Sequence, residues 1–152
     1  MQASQNELND FVLDLIELMG KHFTARFDKT RVAGGNLGVS IRIRRVESGS
    51  ELEIATDNLD PCIDFGAAQL RYRELRGDKD ALFDRILADL TGIFLDRIVA
   101  VEGFAGETSL GGLLFRGLAD EAAREEYLLT IPAAQRLILK RWTLPAAVTE
   151  AE

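Results

Sequence analysis

The sequence is poor in the residue types that most often carry out chemistry. Its 152 residues include one cysteine, one histidine and three prolines. The single cysteine, Cys62, excludes an intramolecular disulfide and is typical of a reducing compartment. No apolar run approaches the roughly 18–20 residues that span a bilayer. The N-terminus has neither the basic start nor the apolar segment of a secretory signal, so we expect a cytoplasmic protein without a membrane span.

Positive charge is also scarce. Lys and Arg number 18 against 25 Asp and Glu, which gives a net charge of −7. Nucleic-acid binders obtain much of their affinity by neutralising phosphates, so this balance argues against a nucleic-acid partner. It is compatible with a basic protein partner. Hydrophobic residues at 47% and charged residues at 28% are ordinary for a globular chain.

Two segments have the periodicity of amphipathic helices. In the first, the apolar positions are Leu8, Phe11, Val12, Leu15, Ile16 and Met19. In the second, they are Leu82, Phe83, Ile86, Leu87, Leu90 and Ile93. Ser4 and Glu7 have the spacing of a capping box, and Asp78 is the expected N-cap of the second helix. Gly20 and Gly92 are the expected stops, with His22 or Phe23 as the alternative end of the first helix.

The apolar period then changes to two in the segment Val39-Ser40-Ile41-Arg42-Ile43-Arg44. Alternation returns over residues 51–54, and residues 47–50 read as the connection of a hairpin. Arg42, Arg44 and Arg45 suggest a nucleic-acid stripe. A solvated strand face is the simpler interpretation, because Glu51 and Glu53 are expected opposite Arg42 and Arg44. Such cross-strand pairs contribute roughly 0.2–1 kcal/mol each.

Further strands follow along the chain. One is predicted over residues 62–65, with residues 70–72 extending it or beginning another. Two more are predicted near 98–101 and 113–115, joined by a glycine-rich loop over 103–112. This stretch lies between two strands and lacks the lysine of a phosphate-binding loop. The other glycine-rich segment, residues 34–38, precedes a strand, whereas phosphate loops generally follow a strand and open a helix.

The C-terminal third is harder to interpret. The apolar run 137–139 before Trp142 fits either a strand or a helix beginning at Pro132. We expect one domain over residues 1–145 and a mobile tail over 146–152, where no periodicity remains. The order of elements predicts an α+β fold with a mainly antiparallel sheet of about five to six strands. The N-terminal and central helices would pack on one face of that sheet.

Few residues are candidates for catalysis or metal binding. Cys62 and His22 are the only thiol and imidazole, so a nucleophilic pair would need both. The apolar surroundings of Cys62 favour a small buried side chain instead. The cluster of Asp57, Asp60 and Asp64 lacks the ligand spacing of a calcium loop and is more typical of turns. The sequence therefore predicts no catalytic residue, metal or cofactor.

The candidate partner-binding residues lie in the predicted hairpin and near the C-terminus. A short acidic helix is expected over 120–127, with a solvated face that could contact a basic partner. Aromatic residues are enriched at interface anchors, although they equally complete cores. The candidates are Arg42, Arg44, Glu121, Glu125, Tyr127 and Trp142.

The runs Glu51-Leu52-Glu53-Ile54 and Ile63-Asp64-Phe65-Gly66, with helix 82–93 and strand 98–101, resemble small bacterial α+β proteins. Some of these accompany polymorphic toxins as immunity proteins. Many related sequences have two spaced histidines after the Phe-Gly segment. Here Gln69 and Arg71 stand at those positions, so a histidine-pair role is not carried over.

Three functions remain open from the sequence. The resemblance, which covers about residues 39–116, implies an immunity or inhibitor protein that occludes a toxin or effector. In size, acidity and element order the chain also resembles type III secretion chaperones, which implies a homodimer holding an effector in an apolar groove. The third is a small enzyme using Cys62 or acidic residues.

Overall fold

Three helices and nine strands occur in the computed structural model, which describes residues 1–22, 27–33, 38–144 and 147–150. The helices are α1 (Gln5–His22), α2 (Lys79–Phe94) and α3 (Asp120–Thr130). The first five strands are β1 (Phe27–Ala33), β2 (Val39–Arg45), β3 (Glu51–Ala55), β4 (Cys62–Phe65) and β5 (Ala68–Arg71). The other four are β6 (Ile98–Ala105), β7 (Thr108–Arg116), β8 (Arg136–Lys140) and β9 (Ala147–Glu150).

The strands form two antiparallel sheets. The first sheet has the order β1-β2-β3-β4-β5, and the second has the order β7-β6-β8-β9. The α+β class is confirmed, but the strands are divided between two sheets instead of lying in the single sheet of five to six strands that we expected. Alternating apolar residues identify a strand without identifying its neighbours, which is why the sequence did not reveal the division.

Both predicted helix starts are confirmed. The Ser4 hydroxyl accepts from the Glu7 backbone N–H at 3.1 Å, and the Glu7 carboxylate accepts from the Ser4 N–H at 3.0 Å. The Asp78 carboxylate accepts from the Ala81 N–H at 3.1 Å. The predicted stop at Gly92 is wrong, because α2 continues to Phe94 and Asp96 then adopts a left-handed conformation with φ of 59°.

The first core lies between the first sheet and the two long helices. The apolar stripes of α1 and α2 pack on the inward side chains of β2, β3 and β4. Trp142 closes this core from the C-terminal side, with its ring 5.0 Å from that of Phe94 and 6.5 Å from that of Phe65. The indole is 1% exposed.

Strand β6 separates the first core from a second one. Ile98 and Ala100 belong to the first core, whereas Val99 and Val101 belong to the second, together with Tyr127 of α3. Leu137 and Leu139 of β8 complete the second core. A strand buried on both faces reads as a continuous apolar run, which explains the sequence Ile-Val-Ala-Val.

Several segments differ from the sequence-based expectation. Most of the glycine-rich stretch 103–112 lies within β6 and β7, with Gly106 in the turn at φ of 62°. The apolar run 137–139, which fitted either a strand or a helix, belongs to β8. Residues 147–150, expected in the tail, form β9, paired antiparallel with β8.

The edge strand β1 was not predicted, because its sequence FDKTRVA has no apolar alternation. Phe23, the glycine-rich residues 34–37 and Pro145 lie outside the described residues.

The glycine at position 103 permits a close approach between β6 and α3. The Tyr127 hydroxyl accepts from the Gly103 N–H at 2.9 Å and donates to the Gly111 carbonyl at 2.7 Å. A Cβ at position 103 would lie 2.4 Å from the Tyr127 ring, and the ladder has a bulge between Glu102 and Phe104. The phenol thereby joins α3 to both strands of the hairpin.

Gly103→Ala is expected to lower the free energy of unfolding by about 1–3 kcal/mol, because the methyl group displaces the Tyr127 ring from a close-packed site. Urea unfolding monitored by circular dichroism measures the loss. Gly77→Ala is the matched control, since a Cβ there meets nothing within 4 Å. We expect that control to change stability by less than about 0.5 kcal/mol. Equal losses in both variants would contradict the packing argument.

An ion pair joins the beginnings of the two long helices. The Lys79 ammonium lies 2.9 Å from the Glu7 carboxylate, and the Lys79 N–H donates to the Met1 carbonyl at 2.7 Å. The hydrogen bond from Lys79, followed by those from Ser4, lowers the pKa of Glu7 from 4.5 to about 2. A lowered carboxyl pKa stabilises the folded state above the unfolded pKa.

We expect this contribution to be complete above pH 4.5 and to decline as the pH falls from 4.5 towards 2. Glu7→Gln should flatten the stability profile in that interval, because the amide does not titrate. Thermal unfolding between pH 2 and 6 measures the effect. Glu17→Gln, on the exposed side of α1, should leave the slope unchanged. A wild-type slope in Glu7→Gln would show that another group titrates there.

Candidate functional site

The outer face of the first sheet carries polar side chains that are exposed or half-buried. The inner face packs on α1 and α2, and the alternate residues point away from them. We call this outer surface the polar face. Its members on β2 to β5 are Ser40, Arg42, Arg44, Glu51, Glu53, Asp64, Gln69 and Arg71.

The register of β2 and β3 places opposite charges side by side on the polar face. Arg42 stands opposite Glu53, at 3.4 Å between Nη2 and Oε2, and Ser40 donates to the same carboxylate at 2.9 Å. Glu53 in turn stands opposite Asp64, which accepts from Gln69 at 2.8 Å. The predicted hairpin is therefore confirmed, and the expected charge pairs are present, with Arg42 opposite Glu53 and Arg44 opposite Glu51.

One end of the polar face is held by an arginine cluster around Asp60. This carboxylate is 18% exposed and lies 3.0 Å from Arg71, 3.4 Å from Arg73 and 3.8 Å from Arg76. Of the three aspartates Asp57, Asp60 and Asp64, Asp60 thus contacts guanidinium groups and Asp64 accepts from Gln69. Among the residues that the structure describes, no group of three or more His, Cys, Asp or Glu side chains could hold a metal ion.

The six predicted partner-binding residues occupy three different environments. Arg42 and Arg44 lie on the polar face, and Glu121 and Glu125 are exposed on α3, which covers the second sheet. Tyr127 is fully buried and Trp142 is 1% exposed. These two aromatic residues complete the cores, so neither offers a surface to a partner.

The thiol does not have the surroundings of an activated nucleophile. Cys62 is 6% exposed on β4, and burial, followed by the charge of Asp64, raises the pKa of its thiol to about 11. The nucleophilic form of cysteine is the thiolate, which is scarce at neutral pH in this setting. His22 is exposed in the last turn of α1.

A second feature, which the sequence analysis missed, is a cleft of about 690 Å³ between α2 and the β6–β7 pair. Asp89 of α2 is 2% exposed at its base. One of its oxygens accepts from Arg116 Nε at 3.1 Å and from Arg116 Nη2 at 2.8 Å. Its other oxygen accepts from the Tyr72 hydroxyl at 2.8 Å, with Arg85 Nε at 3.8 Å. We call this the arginine cleft, lined by Arg85, Arg97 and Arg116.

A signal for the arginine cleft was present in the sequence. Asp89 lies three residues after Ile86, on the apolar side of the predicted second helix, where a carboxylate requires a partner. Nothing in the sequence indicated that the partner would be Arg116, which is 27 residues away. Burial and the neighbouring Asp89 raise the pKa of Tyr72, so its hydroxyl remains a hydrogen-bond donor at neutral pH.

The chain matches no protein-family model, no curated protein and no solved structure. None of the helices in the described parts of the chain has the length and apolar character required to cross a membrane.

The environment of Cys62 leads to a prediction about thiol reactivity. A rise in pKa from 9 to about 11 reduces the thiolate at pH 8 roughly 100-fold. The thiolate of a weaker acid is more nucleophilic, but Cys62 is also only 6% exposed to the reagent. Labelling by a disulfide reagent should therefore slow at least roughly tenfold in the folded protein relative to the urea-unfolded chain. As a control, Glu125→Cys in a Cys62→Ser background places a thiol on the exposed side of α3 and should react rapidly. Rapid labelling of folded wild-type protein would reopen the thiol-enzyme alternative.

Proposed function

We propose that this chain is a non-catalytic protein-binding module, an immunity or inhibitor protein that neutralises a toxin or effector by occluding its site. The observation that supports this function best is the polar face. It presents charged side chains on neighbouring strands of one sheet, and cross-strand contacts already hold several of them in place.

Preorganisation is the physical reason why such a surface suits binding. Side chains that are ordered before association lose less conformational entropy when a partner arrives. Glu53 accepts from both Ser40 and Arg42, and Asp64 accepts from Gln69. The backbone that carries Glu53 and Asp64 belongs to middle strands of a five-stranded sheet, which is more rigid than a loop.

The charge of the chain favours a basic partner. A net charge of −7 accelerates encounter with a positively charged protein, because complementary fields steer association. Glu121 and Glu125 on α3 add to this field from a different side of the molecule. In this proposal they act on the association rate, whereas the polar face makes the contact.

The placement of exposed apolar side chains favours this proposal over a chaperone with an apolar groove. Larger exposed apolar residues of the described chain are distributed over different elements, including Leu18 on α1, Leu87 on α2 and Leu129 on α3. Scattered apolar residues are ordinary on a soluble surface, whereas an interaction groove needs a contiguous patch.

The test is complex formation with the product of a toxin gene that neighbours this gene, measured by calorimetry at physiological salt. Glu53→Lys should weaken binding at least tenfold, because it reverses a central charge of the polar face and repels Arg42. Glu17→Lys makes the same charge change on the exposed side of α1 and should alter affinity less than twofold.

Two outcomes would contradict the proposal. Absence of any complex with the wild-type protein would remove the inhibitor function. Equal weakening by both variants would show that the total charge, and not the polar face, governs the interaction. Circular dichroism of both variants establishes that the fold is retained.

A further inference from the structure

In the arginine cleft the guanidinium of Arg116 is fixed by Asp89 and has N–H donors that this contact does not use. Arg116 directs Nε and Nη2 towards a single oxygen of Asp89. A guanidinium has five N–H donors in a rigid fork, so the remaining donors of Arg116 are available to another acceptor. Its side chain is 45% exposed although its carboxylate partner is 2% exposed. The buried Asp89 therefore fixes the position of a cation that still faces solvent.

Arg97 provides a second cation to the same cleft. Its backbone connects α2 and β7, because its N–H donates to the Gly92 carbonyl and its carbonyl accepts from the Gly117 N–H, both at 2.8 Å. In the part of the chain that the structure describes, its exposed side chain makes no hydrogen bond or ion pair. Both oxygens of Asp89 are already engaged by Arg116 and Tyr72, so Asp89 does not neutralise Arg97.

The charge of the arginine cleft is opposite to that of the whole chain. Three arginines and two aspartates line it, whereas the chain carries −7. The remaining wall is partly apolar and includes Leu87, Ala88 and Ile98. Its volume of about 690 Å³ falls within the range of small-molecule sites. The ligand that complements these walls has one negative group and an apolar body.

We propose that the arginine cleft binds a small organic carboxylate, with the carboxylate between Arg97 and Arg116 and the apolar body against Leu87 and Ile98. Guanidinium groups pair with carboxylates through two parallel hydrogen bonds, which gives both charge and direction to the contact. The site lies on α2, β6 and β7, away from the polar face, and does not depend on the proposed inhibitor function.

The experiment is a titration of the full chain followed by amide NMR. The probe is 4-phenylbutyrate. Its neutral analogue 4-phenylbutyramide keeps the apolar group without the negative charge, and inorganic phosphate has negative charge without an apolar group. We expect saturable shifts at the amides of Gly92, Ile98 and Gly117 with the carboxylate. The other two probes should bind at least tenfold more weakly.

Variants separate the cleft from general surface charge. Arg97→Gln should weaken the carboxylate at least fivefold, and its fold should be retained because the side chain is exposed. Arg44→Gln removes the same charge from the polar face and should have no effect. Equal binding of the amide, stronger binding of phosphate, equal loss in both variants or no saturable shift at these amides would each overturn the proposal.

Discussion

The structure depends on β6, a strand that is buried on both faces. Ile98 and Ala100 face the core under α1 and α2, and Val99 and Val101 face the core under α3. β6 pairs with β7 on one side and with β8 on the other. Because the two cores share this strand, displacement of β6 would disturb both. Tyr127 reinforces the arrangement through its hydrogen bond to the strand.

The buried carboxylate Asp89 has a similar connecting role between α2 and β7. A buried ion pair is costly to desolvate and contributes little net stability. Its main effect is therefore to fix the positions of the groups that it joins. Tyr72 and Arg116 are held by one carboxylate, and the cleft above them has a defined shape. The bonds to Asp89 thereby fix the orientation of Arg116, a long side chain that would otherwise move freely at the surface.

Local signals were predictable, and contacts between distant segments were not. The capping box of Ser4 and Glu7 and the N-cap Asp78 were recognisable because each satisfies backbone groups within three residues. Arg42 and Arg44 were placed correctly on an exposed strand face, because side chains alternate between the two faces of a strand. The sequence left Trp142 undecided between an interface anchor and a core residue, since its partners Phe65 and Phe94 are far away in the chain.

By itself the sequence determined the helices, the first hairpin and an α+β class, because periodicity and capping act over a few residues. It also determined an acidic chain with one cysteine and one histidine. Only the tertiary structure decided that the strands divide into two sheets and that Arg116 meets Asp89. It likewise placed the polar face and the arginine cleft on different elements. Strand partners and buried ion pairs are chosen by packing across long sequence separations, which no local pattern records.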